Sequence, residues 1–346
     1  MNPMTHRRKL WTLLTLLAGF HALVLFAGFF APYSFTTQDR DFPFAPPSRI
    51  HFVDTHGKFH VRPFVYGLKA DPNNFGVYLP DTNRICPLRF FVTGAPYKIA
   101  SVFSSRLHLF GVDEPSGIFL MGTDGFGRDQ FTRFLYGGQI SLAAGLIAAA
   151  LSLLLGVFIG SLAGFYGGWI DDALMRGGEI FLALPWLYLL FAVRAALPLH
   201  VAQWQVFLLL VAVIGLIGWA RPARLIRGVV LSAKERNFVA AARGFGASDF
   251  YLLRRHVLPQ TYSVILTQMA LLIPQYILAE VTLTFLGLGV GEPMPSWGSL
   301  LAALQHYYVL SSYWWMFLPA VLLIPVFLVY YLMADALQER WKSVPL

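Results

Sequence analysis

Side chains that could carry out acid–base or metal chemistry are scattered in this sequence. Four histidines lie within residues 32–131, and their spacing fits no standard zinc pattern: His51, His56, His60 and His108. An enzyme needs acid, base or nucleophilic groups that converge, and neither these histidines nor Asp124 and Asp129 show a telling spacing. The sequence therefore predicts no metal site and no catalytic residue. A membrane-embedded enzyme that uses these groups remains an alternative.

A group of basic residues interrupts an apolar region at Phe238–Gln260, which reads FVAAARGFGASDFYLLRRHVLPQ. Residues 239–243 favour a helix that ends at glycines, and Ser248 or Asp249 can cap a second helix that we expect to stop before Pro259. Two short helices joined at a glycine would form a compact knob. The alternative is a basic amphipathic loop that rests on lipid headgroups.

The elements around this segment are predicted to be membrane spans. The chain is 57% hydrophobic and 13% charged, against roughly 25% charged residues in soluble domains. About 20 apolar residues cross a bilayer, and the first apolar run is longer than a signal peptide's, so we predict an uncleaved anchor. Six spans are expected: Leu10–Phe30, Ile140–Ala163, Glu179–Leu197, Trp204–Trp219, Thr261–Val290 and Tyr313–Met333.

The basic residues predict the orientation of these spans. The net charge is +8, and its clustering beside the apolar runs favours a membrane rather than nucleic acid as the partner. Residues 7–9, 221–255 and 340–342 place Lys and Arg on one face, which the positive-inside rule makes cytoplasmic. Both termini are then cytoplasmic. Residues 32–131 face outward, and the alternating runs on either side of residues 54–57 predict a partly β insert.

Polar residues inside the predicted spans are candidates for a transport pathway. Glu280 would be costly in lipid and should face protein or water. It could line a pathway or pair with a neighbouring helix, and we favour the structural role. Gln268 and Gln275 have helical spacing and could form a polar stripe along a channel.

The segment at 238–260 resembles the "EAA" loop of ABC importer permeases. That pattern is Glu-Ala-Ala, three residues, Gly, and later an apolar residue and Leu-Pro. Five residues of this chain are in register with it: Ala241, Ala242, Gly246, Leu258 and Pro259. Ala240 stands where the family usually has Glu, and His256 stands where it has the apolar residue.

A second segment, GTDGFGRD at 122–129, is similar to a signature of the dipeptide, oligopeptide and nickel permeases that precedes their second span. Its matching residues are Gly122, Thr123, Asp124, Gly127, Arg128 and Asp129. The runs EVTLTFLGLG at 280–289 and PSWG at 295–298 are similar to the C-subunit of the same family. The resemblance covers residues 122–338 and the first anchor.

The resemblance implies an all-α polytopic protein of the bacterial inner membrane, with the six helices of a type I ABC importer permease and a partly β outward insert. It implies half of a translocation pathway for peptides. The implied partners are a homologous permease, ABC ATPase subunits that the loop contacts, an extracytoplasmic solute-binding protein and membrane lipid, with no nucleic acid. No lysine lies in a Gly-x-x-x-x-Gly-Lys-Ser/Thr loop, so we expect no cofactor on this chain and ATP with Mg on the partner ATPase.

The same resemblance sets the expected domain boundaries. Residues 1–31 are the cytoplasmic N-terminus and first span, and residues 32–131 are the outward insert with the signature segment. Residues 132–338 form a core of five spans that includes the cytoplasmic coupling loop at 221–260, and residues 339–346 are a cytoplasmic tail. Relatives also carry nickel complexes and other small solutes, so these remain alternatives to peptides. A secondary transporter is a third alternative, but the sequence shows no convincing internal repeat.

Overall fold

A computed structural model describes residues 3–74, 76–99, 102–113, 116–183, 185, 188, 189, 191, 192 and 202–342. Two helical segments open the chain, five strands follow, and helices make up most of the rest. The strands are β1 (His51–Val53), β2 (Phe59–Ala70), β3 (Tyr78–Pro87), β4 (Arg89–Ile99) and β5 (Phe103–Gly111). The helices are α1 (Pro3–Leu25), α2 (Ala27–Phe30), α3 (Gln130–Tyr166), α4 (Gly168–Ala183), α5 (Gln203–Gly218), α6 (Ala220–Lys234), α7 (Asn237–Gly244), α8 (Asp249–Leu252), α9 (Tyr262–Phe285), α10 (Trp297–Ala302), α11 (Tyr307–Ser312) and α12 (Leu318–Lys342).

Five helical segments of the described residues are long and apolar enough to cross a membrane. They are Arg8–Leu25, Gln130–Tyr166, Gln203–Lys234, Asp249–Phe285 and Trp314–Arg340. Each overlaps one of the predicted spans. The remaining predicted span, at 179–197, includes residues 184, 186, 187, 190 and 193–197, which lie outside the described residues. The chain is therefore a multi-pass membrane protein, and the count of six spans stays a prediction.

One compact unit contains Met1–Leu17, Leu142–Leu283 and Val326–Leu346. Small residues on α3 allow close helix packing here. A Cβ at Gly156 would lie 3.0 Å from the Cβ of Pro222 on α6, and a Cβ at Gly145 would lie 3.0 Å from the carbonyl oxygen of Ile273 on α9. The two glycines therefore let α3 approach α6 and α9 at backbone distance.

The other unit contains Ala18–Ser141 and Thr284–Pro325. Strands β1, β2 and β3 form an antiparallel sheet in that order, and β4 pairs with β5. Their apolar side chains share a core with the segment before α3: Val65, Cys86, Leu88, Phe110 and Ile118. These five strands belong to the insert that the sequence predicted to be partly β. The side of the membrane that it faces stays a prediction.

The insert's histidines include two with structural contacts. His108 is buried, and its Nδ1 and Nε2 lie 2.6 Å and 2.9 Å from the carbonyl oxygens of Ala31 and Ala95. The Nε2 of His60 lies 2.9 Å from Oδ2 of Asp54 in the turn between β1 and β2. Among the described residues, no three His, Cys, Asp or Glu side chains are grouped closely enough to hold a metal ion.

Candidate functional site

The segment after α6 forms two short helices that meet at Gly246, as the sequence predicted. The α7 helix ends in a Schellman motif, in which Ala247 N donates to the carbonyl of Ala242 at 3.1 Å and Gly246 N donates to that of Arg243 at 3.0 Å. Gly246 has φ +88°, a left-handed conformation that costs other L-residues roughly 1–2 kcal/mol. A Cβ at this position would meet no atom within 4 Å, so conformation rather than space requires glycine here.

The chain after α8 differs from the expectation that the helix stops before Pro259. Leu253–Val257 forms a π-helical turn and Leu258–Thr261 a 3-10 turn, and the helical path continues directly into α9. Proline lacks an N–H, but the start of a helical turn leaves that donor without an intrahelical partner, so Pro259 fits at the beginning of the 3-10 turn. The proline changes the type of helix instead of ending it.

The two short helices pack into a hydrophobic core that they share with α3 and α6. Val239, Leu252 and Val257 are at most 2% exposed and pack in one cluster with four other buried side chains: Phe165 of α3 and Ile226, Val230 and Ala233 of α6. Ala242 and Ala247 pack at the edge of this cluster. The knob is therefore packed against α3 and α6, and this packing holds its exposed surface in a defined shape.

The opposite surface of the knob is exposed and aromatic. Ala240 and Ala241 are exposed, and Ala242, Leu258 and Pro259 are partly buried. We define the aromatic face as four exposed side chains around the turn: Phe238, Phe245, Phe250 and Tyr251. Phe245, beside the left-handed glycine, is 93% exposed. This face was not predicted from the sequence. The sequence signal for this face was the presence of phenylalanines beside glycine and serine in a polar loop.

Ion pairs hold α6 against α4. Arg224 of α6 donates to Glu179 of α4 at 2.9 Å. Arg227 donates through two nitrogens to both carboxylate oxygens of Asp171, also on α4. Bidentate pairs of this type fix orientation as well as distance.

A cavity of about 130 Å³ lies beside the start of α6. Arg221, Gln275 and Tyr276 supply polar groups to its lining, and residues of α4, α5 and α9 supply the rest. The Tyr276 hydroxyl is 2.9 Å from the Ser152 hydroxyl, which fixes its ring. Of the predicted polar stripe, Gln275 lines this cavity and Gln268 lies seven residues earlier on the same helix face.

Glu280 has different surroundings from the two glutamines. It is fully buried and lies about 140° around the helix from Gln275. It is absent from the cavity lining among the described residues. This burial supports the structural role that we favoured for Glu280.

The signature segment at 122–129 is a tight turn held by one carboxylate. Oδ1 of Asp124 accepts from Phe126 N at 2.8 Å and from Arg128 N at 3.1 Å, and Oδ2 accepts from Arg128 Nε at 2.8 Å. Gly127 has φ +70°, and a Cβ there would collide with the backbone of Asp39. Thr123 is buried, and its hydroxyl accepts from Ala45 N at 2.7 Å.

Two arginines join this turn to the loop after α9. Arg128 Nη1 donates to Glu292 Oε2 at 2.8 Å, and Arg133 Nη2 donates to Glu292 Oε1 at 2.8 Å. The arginine side chains are 9% and 4% exposed. We call Asp124, Arg128, Arg133 and Glu292 the arginine clasp. The signature residues Asp124 and Arg128 thus have a structural role, and Glu292 and Arg133 were not predicted.

Asp129 ends the signature segment at the start of α3. One of its oxygens accepts from Thr132 N at 2.8 Å, and the other, Oδ1, is buried without a hydrogen-bond partner in the protein. Burial raises the pKa of this carboxyl to about 7. Asp129 therefore takes up a proton near neutral pH.

Comparison with known proteins identifies the family. Residues 156–343 match the family described as "Binding-protein-dependent transport system inner membrane component". This chain is a member of that family. The matched residues include the knob, the cavity beside α6 and α12, so the resemblance seen in the sequence is confirmed at the family level.

Relatives of this permease are bacterial transport proteins. It is 37% identical over 226 residues to the dipeptide transport system permease protein DppC of Bacillus subtilis, covering 65% of this chain and 68% of that one. It is 34% identical over 245 residues to the glutathione transport system permease protein GsiD of Pectobacterium atrosepticum, covering 70% and 78%. Among solved structures, an inward-facing form of the MetNI methionine ABC transporter matches 58% of this chain and 93% of that one, with 17% identity and a TM-score of 0.46, which is too low to support a fold assignment.

Proposed function

We propose that this chain is the transmembrane permease subunit of an ATP-driven importer of short peptides. The family membership and the candidate spans support a membrane component of a binding-protein-dependent transport system. The names of the relatives, which include a dipeptide permease and a permease for glutathione, itself a short peptide, favour peptides as the solute. The chain forms half of a translocation pathway whose other half is a homologous permease in a type I arrangement.

The coupling of this permease to ATP hydrolysis is carried by the aromatic face. Large exposed aromatic side chains on a structured surface are typical of the anchors of protein interfaces. Here they lie in the same segment as Ala241, Ala242 and Gly246, which are in register with the EAA loop. The hydrophobic core beneath this face keeps the knob rigid. The knob then transmits the motion of a docked ATPase to α6 and α9. The partner ATPase binds ATP and Mg, and this chain binds no cofactor.

Orientation and external partners follow from the same proposal. The knob and both termini are cytoplasmic, and the strands β1 to β5 lie outside the cytoplasm. The insert at 32–115 contacts the solute-binding protein or the partner permease. The pathway uses Gln268 and Gln275, and Arg221 lines the same cavity as Gln275.

Two alternatives to peptide import are import of a different solute and catalysis by a membrane-embedded enzyme. Nickel complexes or another small solute would use the same architecture, and the identity of the external binding protein decides between them. A membrane-embedded enzyme would need converging reactive groups. The family and the relatives described above are transport components.

The docking proposal is tested by replacing Phe245 with alanine. Loss of an aromatic side chain that becomes buried on docking costs about 2 kcal/mol of docking free energy, which is roughly thirtyfold in affinity. Phe103→Ala is the matched control, because Phe103 is a 71% exposed phenylalanine on β5 in the insert. We expect Phe245→Ala to lose ATPase co-purification and Phe103→Ala to keep it. Wild-type ATPase binding by Phe245→Ala would refute docking through this face.

A further inference from the structure

Two arginines beside the knob differ from three ion-paired arginines of the same region. Arg254 and Arg255 lie in the π-helical turn, and both are exposed. Arg224, Arg227 and Arg243 each form an ion pair with a carboxylate of the same unit. No carboxylate of the described part of the chain lies within ion-pairing distance of Arg254 or Arg255. Their charges are therefore available to an external anion.

Both arginines line one groove with a volume of about 720 Å³. Its other polar lining residues are hydroxyl-bearing, and no acidic residue is among the described residues that line it: Ser248, Tyr251, Thr261 and Tyr262. A groove with two guanidinium groups, several hydroxyls and no carboxylate is complementary to a phosphate group.

The groove also has an apolar wall that belongs to the candidate spans. Val157 is part of the span Gln130–Tyr166, and Ile265 is part of the span Asp249–Phe285. Tyr262 and Tyr251 are 60% and 51% exposed. Tyrosines are typical of the boundary between hydrocarbon and water, where the ring meets lipid and the hydroxyl meets headgroups. Val157 and Ile265 are partly buried against the core of the knob, so the apolar wall of the groove extends from that core along two candidate spans.

We propose that this groove binds the headgroup of an anionic phospholipid from the leaflet beside the knob. The arginines contact the phosphate, and the hydroxyls of the exposed residues Ser248, Tyr251 and Tyr262 contact the rest of the headgroup. The acyl chains follow Val157 and Ile265 along the spans. Basic pockets at the ends of transmembrane helices bind anionic lipids for this electrostatic reason. The bound lipid fixes the height of the knob relative to the bilayer. Phe250 and Tyr251 of the aromatic face also line this groove, whereas Phe238 and Phe245 do not. Lipid binding is therefore tested through the two arginines, and ATPase docking is tested through Phe245.

The test uses the purified importer complex in detergent, titrated with phosphatidylglycerol or phosphatidylcholine while bound lipid is counted by native mass spectrometry. The variant is Arg254→Gln with Arg255→Gln. The matched control is Lys234→Gln with Arg236→Gln, which removes the same charge from neighbouring residues that do not line the groove. Each basic residue near an anionic lipid contributes about fivefold in affinity, so we expect the groove variant to lose about thirtyfold of phosphatidylglycerol affinity. The control should stay within about twofold.

The proposal is overturned if the groove variant binds phosphatidylglycerol with unchanged affinity, or if the control loses as much affinity as the groove variant. It is also overturned if millimolar inorganic phosphate displaces bound phosphatidylglycerol as effectively as added phosphatidylglycerol does. Loss of the ATPase with retention of the lipid would assign the arginines to a protein contact, which also overturns it. If the double variant does not assemble, the single variants Arg254→Gln and Arg255→Gln each have an expected fivefold loss, and unchanged affinity in both refutes the site.

Discussion

At the scale of single residues, burial decides the charge of the signature carboxylate. Asp129 has one oxygen hydrogen-bonded to the Thr132 amide and the other buried without a partner in the protein. An ionised carboxylate is poorly solvated in this position, so burial raises its pKa to about 7. Asp129 could be identified from the sequence as a signature residue, but this state could not be predicted, because burial depends on residues distant in the chain.

The raised pKa predicts how stability depends on pH. The folded state holds the Asp129 proton more tightly than the unfolded state, so the stabilisation is complete below the unfolded pKa, near 4, and is lost as pH rises through about 7. Asp129→Asn keeps the shape of the side chain and removes the ionisation. We expect the wild-type thermal midpoint to fall between pH 5.5 and 8.5 by several degrees more than that of the variant, measured by differential scanning fluorimetry. Parallel profiles for the two proteins would contradict the assignment.

At the scale of elements, the turn at 122–129 is shaped by the arginine clasp. The resemblance to the permease signature identified the residues of this turn, and its glycines and Asp124 fit a tight turn. The sequence did not pair Arg133 with Glu292, because the two lie 159 positions apart and no periodic pattern links them. The Glu292 side chain is 51% exposed, but both of its guanidinium partners are buried, so its removal affects more than the loss of a pair between two exposed side chains.

The clasp predicts unequal costs for two carboxylate substitutions. Glu292→Gln leaves Arg128 and Arg133 buried with less anionic compensation, and we expect a loss of about 2 kcal/mol in the free energy of unfolding. Asp113→Asn is the control, since Asp113 pairs with Arg89 at 2.6 Å and both side chains are more than half exposed. It should cost less than about 1 kcal/mol. Equal losses in denaturant titrations would contradict the clasp.

The knob shows which parts of an element can be predicted from sequence. The glycines and the capping residues Ser248 or Asp249 indicated two short helices that form a compact knob. The continuation through Pro259 was missed because proline was taken as a stop, whereas it occupies the start of a 3-10 turn. The aromatic face was missed because exposure in a helix of four residues, α8, depends on what the neighbouring α6 covers.

At the scale of the whole molecule, hydrophobic run length predicted five of the spans, because crossing a bilayer sets a minimum length for each helix. Their ends could not be predicted, since helices continue past the apolar run wherever polar residues still favour helix. The last helix extends to Lys342, nine residues beyond its predicted end at Met333. The orientation rests on charge alone and needs a direct measurement.

Single cysteines in a Cys86→Ser background measure that orientation. His56→Cys lies in the exposed turn between β1 and β2, and Asn237→Cys lies at the exposed first residue of α7. We expect an impermeant maleimide to label position 56 in intact spheroplasts and position 237 only after lysis. Labelling in the opposite pattern would place the knob outside and remove the basis for ATPase docking.

The most direct test of ATP coupling through the knob compares two glycines. A Cβ added at Gly246 or at Gly244 would meet open space, but only Gly246 has a positive φ. Gly246→Val should strain the Schellman turn by about 1–2 kcal/mol and displace the aromatic face, while Gly244→Val stays compatible with helix. The measurement is peptide-stimulated ATP hydrolysis by the reconstituted importer at equal membrane abundance. We expect loss of stimulated hydrolysis for Gly246→Val and near wild-type rates for Gly244→Val. Full stimulated hydrolysis by Gly246→Val would show that this knob is not the coupling element.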